Sequence, residues 1–201
     1  MTRPLALRPN GAIPQRQHGA TLIEALVSIV IMSLGLLGIA AIQITAMAFQ
    51  KTSWSNHRVA ETVNDFSDRL RANPAGALRG GYLYNTNNYA AIRAATFTPN
   101  NCRTGATACT VDQIAADDIA ALVTNARANL PGGAVQVAGT VASGFTVTVL
   151  FADKELVDSN GTATSAPTCT NSTTGTEWRN CCPTEAAAPA GVRCRRFMVF
   201  P

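Results

Sequence analysis

The sequence predicts an α+β protein. One long N-terminal α-helix, apolar in its first half and amphipathic in its second, packs on a small antiparallel-sheet head with a disulfide-linked C-terminal region. Three observations carry that expectation. Residues 25–49 hold no charge, and 19 of those 25 are apolar. Val59, Val63, Phe66 and Leu70 then recur at spacings of four, three and four, which is one face of a helix. Phe145, Val147, Val149 and Phe151 alternate with Thr146, Thr148 and Leu150, the period of a half-buried strand.

Composition bounds the function. The chain has 201 residues, 47% apolar and 14% charged, with 16 Lys+Arg against 12 Asp+Glu. That length suits one domain, or one domain and an appendage, and the apolar fraction excludes a disordered chain. Basic residues are too few and too scattered for a dedicated nucleic-acid binder. Only His18 and His57 are present, and the six cysteines form no C-x-x-C pair. Histidine-based hydrolysis and zinc chemistry therefore have little material, and no enzyme, cofactor, metal or small-molecule substrate is expected.

Residues 1–19 carry Arg3, Arg8 and Arg16, no acid, and prolines at 4, 9 and 14, so this stretch should not fold. As a helix, residues 25–49 would be roughly 37 Å long, enough to span a bilayer core of about 30 Å with some tilt. The basic flank predicts the N-terminus on the cytoplasmic side. The first charge beyond the run is Lys51, and the helix continues with Glu61, Asn64, Asp65, Asp68 and Arg69 on its polar face. Asn73-Pro74 stops it, because a residue before proline avoids the helical region.

The head is expected over residues 74–201. Residues 82–101 are rich in Asn, Tyr and Thr and read as loop. Thr110 and Gln113 form a capping-box pattern ahead of Ile114, Ile119, Leu122 and Val123, which predicts a helix over 111–129. Pro131-Gly132-Gly133 ends it. Strands follow over 134–141 and around 145–151, with Ser143-Gly144 in the turn. Residues 158–176 have no periodicity, and 193–200 make a last short strand.

The N-terminus admits three readings. A secretory signal peptide could be cut at Ala46-Met47-Ala48, but its apolar region would exceed the usual length of roughly 7–15 residues. A plain membrane anchor needs only the hydropathy. The third reading turns on Glu24, a carboxylate set directly before the apolar run, in Gly19-Ala20-Thr21-Leu22-Ile23-Glu24. Such a carboxylate is expensive at a membrane helix and marks function with a partner of opposite sign. No Lys or Arg follows within helical reach, so the candidate partner is an α-amine freed at Ala20 by cutting after Gly19.

These residues resemble a known family. His18-Gly19-Ala20-Thr21-Leu22-Ile23-Glu24-Ala25-Leu26-Val27 is similar to the class III signal of type IV prepilins and pseudopilins. The resemblance implies the pilin fold. It implies removal of a 1–19 leader by prepilin peptidase, N-methylation of Ala20, and retention of a 20–73 helix whose transmembrane part is about 25–49. It also implies that Glu24 neutralises the terminal amine of a neighbouring subunit during assembly. The first mature residue in that family is most often phenylalanine, and here it is alanine. Residues 33–43, with Gly35 and Gly38, and residues 68–73 resemble the PilV family of minor pilins. That closer likeness implies a structural subunit that initiates pilus assembly with other minor pilins and the major pilin, near a tip adhesin, and supports twitching motility and adhesion. The two glycines serve either close helix packing or softening of the helix. The alternatives are a minor pseudopilin of a type II secretion system, or a membrane-anchored periplasmic domain that never polymerises.

Cys102, Cys109, Cys169, Cys181, Cys182 and Cys194 all lie beyond the apolar run, where the periplasm would oxidise them. Cys102 and Cys109 are near enough to close a local loop. Neighbouring Cys181 and Cys182 should reach Cys169 and Cys194, with two patterns open. Arg193, Arg195 and Arg196 are expected on an exposed face paired with acids, and His57 in solvent. Asn171-Ser172-Thr173 matches a glycosylation sequon that carries little weight in a bacterial setting. Three of the 16 basic side chains lie in the leader, so its removal would leave 13 against 12 acids in a chain of 182 residues.

Overall fold

The computed structural model describes residues 21–85, 88–102 and 108–201. Along the chain run α1 (Leu22–Ala72), α2 (Pro74–Leu78), α3 (Tyr89–Ala94), α4 (Val111–Asn129), β1 (Ala134–Thr140), β2 (Gly144–Ala152), a 3-10 turn (Lys154–Leu156), α5 (Gly175–Asn180), a second 3-10 turn (Thr184–Ala186) and β3 (Val192–Val199). The described residues divide into two compact units, one ending at Gln50 and the other Lys51–Pro201. In the first, the described residues from Leu22 onward are helix, and large apolar side chains such as Leu22, Ile31, Leu37 and Phe49 are exposed.

The second unit is built around a three-stranded antiparallel sheet in the order β1-β2-β3. Val135 faces Val149, and Val137 faces Val147, while Phe145 faces Val199 on the other side. These side chains share one buried core with Val59, Val63, Phe66 and Leu70 of α1 and with Ala115, Ile119, Leu122, Val123 and Ala126 of α4. The residues at helical spacing thus lie against the sheet residues at strand spacing, which is what binary patterning requires of an α+β layer. Phe66 meets Tyr82 edge-to-face at 5.8 Å between ring centroids. Together, the long helix packed on the small antiparallel sheet and the disulfides of the C-terminal region are consistent with the pilin fold.

The ends of the elements follow local chemistry. Thr110 and Gln113 form the reciprocal capping box of α4: the Gln113 N–H donates to Thr110 Oγ1 at 3.3 Å, and the Thr110 N–H donates to Gln113 Oε1 at 2.9 Å. The turn after α4 needs its glycines. Gly132 has φ +61°, and a β-carbon on Gly133 would collide with the Ala126 carbonyl.

The structure corrects three sequence expectations. The break at Asn73-Pro74 is also a start, because Asn73 caps α2 by accepting the Gly76 N–H at 3.2 Å, with Pro74 in the first turn. The stretch 82–101 is not all loop: Asn88 accepts the Ala91 N–H at 2.9 Å and starts α3, whose Ile92 is buried. Tyr84 also bridges to Val137 at the β1 edge. Finally, β2 is covered on both faces from Val147 to Phe151 and not half-buried. Leu150 pairs with Cys194, which is bonded to Cys182, so the C-terminal segment is tied over the second face.

Candidate functional site

The functional residues read from the sequence fall at two places. Gly19 and Ala20 lie outside the described residues. Glu24 sits in the first turn of α1, where a carboxylate complements the unpaired N–H groups and positive end of the helix dipole. Its N–H donates to the Thr21 carbonyl at 3.0 Å, and Ser28 Oγ donates to its own carbonyl at 2.7 Å, so the backbone is engaged while the side chain is exposed. Glu24 makes no ion pair among the described residues, and no further charge follows until Lys51. The helix between them contains a window of 18 residues with mean hydropathy 2.6, long and apolar enough to cross a membrane.

The second place is where the other half of α1 is fastened to the head. Arg69 donates through Nε to Asp65 at 2.7 Å and through a terminal nitrogen to Asp118 of α4 at 3.3 Å. The hydroxyl of Tyr82 donates to the other Asp118 oxygen at 2.8 Å. The Asp118 and Arg69 side chains are only 6% and 13% exposed, so the pair is largely desolvated. Burial pushes the Asp118 carboxyl above the usual carboxylate range, against the pull of the Tyr82 hydrogen bond and the Arg69 charge. Burial first, and then the bond to Asp118, push the Tyr82 phenol well above its ordinary value.

Next to it, Asp117 does the opposite. Burial would raise it, but the N–H groups of Asn100 and Cys102 and the Asn100 side chain together hold it below the ordinary range. These bonds span 2.7–3.1 Å and anchor the segment entering the first disulfide loop.

All six cysteines are paired: Cys102 with Cys109, Cys169 with Cys181, and Cys182 with Cys194. Of the two patterns left open for the last four, the chain adopts the one that closes two consecutive loops. The arginines depart from expectation. Arg193 does pair with acids, Asp153 and Glu155, but Arg195 bonds Asn180, and Arg196 lies 4.2 Å from the Trp178 ring centroid. All three are half-buried, Arg195 and Arg196 against residues of α5. Burial accordingly lowers the pKa of Arg195 and Arg196. His57 is exposed, and among the described residues no group of three His, Cys, Asp or Glu could hold a metal ion.

Sequence reasoning missed the fastening cluster. Arg69, Tyr82 and Asp118 are widely separated along the chain, and no local period announces their meeting. A signal did exist at Asp118, an acid at the face position between Ala115 and Leu122 of an otherwise apolar helix stripe.

A family model described as the prokaryotic N-terminal methylation motif matches residues 14–40. No curated protein and no solved structure matches the chain. The motif implies processing by a prepilin peptidase, suggests membrane anchoring through the apolar helix, and suggests a structural subunit in place of an enzyme. It supports a type IV pilin or pseudopilin-like protein.

Proposed function

We propose that the chain is a minor pilin of the PilV type. Prepilin peptidase cuts between Gly19 and Ala20 and methylates Ala20, leaving a 20–73 helix and a 74–201 head. The subunit waits in the bacterial inner membrane with its N-terminus cytoplasmic and its head periplasmic, then enters the pilus. There it helps start assembly with other minor pilins and the major pilin, in support of twitching motility and adhesion.

One observation carries the proposal: Glu24 is the only charge in the described apolar helix before Lys51, within the matched methylation motif. Buried in a filament axis of low dielectric, an unpaired carboxylate is strongly unfavourable. Its pairing with the methylated amine of a neighbour relieves that cost only at one axial register. Replacing Glu24 with Val should leave cleavage after Gly19 intact and abolish recovery of the subunit in sheared pili. Normal incorporation of the variant rules out the docking role.

A further inference from the structure

The second face of the sheet carries a groove of about 580 Å³ away from the helix-packed core. Its floor is set by register: Gln136, Thr148 and Arg196 stand in one cross-strand row, and Thr146 lies two residues along on the same face. Trp178 of α5 and Glu185 of the second 3-10 turn line its wall. The disulfides Cys169–Cys181 and Cys182–Cys194 bracket those wall residues, so the wall is covalently held over the sheet.

The chemistry of this lining is selective. Its lining holds two amides (Asn85 and Gln136), three hydroxyls (Ser143, Thr146 and Thr148), a carboxylate and an indole, and its single cation is matched by the single anion. Arg196 holds the indole from one side, and its Nε–H finds no acceptor among the described residues. A groove with balanced charge has no net field to draw in an anion or a cation. What it does offer is directional hydrogen bonding from the exposed Glu185 and the half-buried Thr146 beside an aromatic ring, which suits a ligand that is polyhydroxylated, neutral and partly apolar on one face.

We infer that this groove binds a neutral saccharide. Glu185 accepts sugar hydroxyls, the half-buried Thr146 bonds along the floor, and Trp178 packs the side of its ring away from Arg196 against the C–H face of a sugar ring. The assignment concerns the head alone and holds whether or not the chain enters a filament.

The test uses the full-length chain in a detergent without a sugar headgroup. Trp54 and Trp178 are the only tryptophans, so Trp54→Phe leaves an emission signal from Trp178 alone. Lactose, maltotriose and cellotriose are titrated, with sialyllactose as the acidic counterpart, and saturation-transfer NMR is read on the same samples. We expect at least one neutral probe to give a saturable response, tighter than sialyllactose. Glu185→Ala, at an exposed site, should weaken that binding about tenfold or more, since a hydrogen bond to a charged group is lost. Thr146→Val should also weaken it, with far-UV circular dichroism unchanged in both. Three results overturn the assignment: no neutral probe saturates or shows transfer, sialyllactose binds as well as the neutral probes, or Glu185→Ala keeps the parent affinity.

Discussion

Replacing Tyr82 with Phe removes one hydroxyl from the interior of the head. The ring is fully buried and keeps its edge-to-face contact with Phe66, so packing is preserved. What disappears is the 2.8 Å hydrogen bond to Asp118, whose side chain is 6% exposed and has little water to turn to. A hydrogen bond to a charged group contributes about 1.5–3 kcal/mol, and the loss should fall in that range. Against a total domain stability of about 5–15 kcal/mol, that is a large fraction. Urea unfolding of the full-length protein in detergent, followed by Trp178 emission in the Trp54→Phe background, reports on the head and not on the membrane half of α1. A double-mutant cycle with Asp118→Asn should show a coupling of at least about 1 kcal/mol. A loss below about 0.5 kcal/mol, or strictly additive effects, would refute the view that this cluster fastens the helix to the head.

Removing Cys102–Cys109 with a double Ser substitution should cost about 2.5 kcal/mol by loop-closure entropy, read as a lower urea midpoint. Removing Cys182–Cys194 should cost more than the entropic value of about 3 kcal/mol, because it also loosens the cover over Leu150; the reverse ranking contradicts that role. The two neighbouring aspartates should drive opposite pH dependences. Asp118 has a raised folded pKa, so its contribution is complete below the ordinary carboxylate range and is lost as pH rises through the folded value. Asp117 has a lowered one, so its contribution is complete above that range and is lost as pH falls through the folded value. Unfolding midpoints measured against pH should therefore lose their fall on raising pH in Asp118→Asn, and their acid-side loss in Asp117→Asn; identical profiles for the two variants refute the assignment.

Much of the fold is legible in the sequence because it is encoded locally. The apolar run, the four-three-four spacing through Leu70, the Thr110–Gln113 box and the alternation through β2 each state an element within a few residues. Short helices were harder: α3 is six residues long, and its only announcement is Asn88 as a cap. The start of α2 was written in Asn73-Pro74, a cap followed by proline in the first turn, but the same pair also ends α1. Cover on the second face of β2 comes from a segment distant in sequence, and spacing does not choose between the two cysteine pairings that could hold it there. The Arg69–Asp118–Tyr82 cluster is purely tertiary, since it closes over 36 residues between Tyr82 and Asp118. At the N-terminus the situation is reversed. The motif around Glu24 is explicit in sequence, whereas a single folded chain holds no neighbour to pair with it.

The most direct measurement is the N-terminal mass of the protein recovered from membranes of cells containing the prepilin peptidase. A chain that begins at Ala20 and carries one added methyl group is the expected result. A chain that keeps residues 1–19, or that begins after Ala48, would contradict the reading of Glu24 and its helix as the assembly element of a pilin.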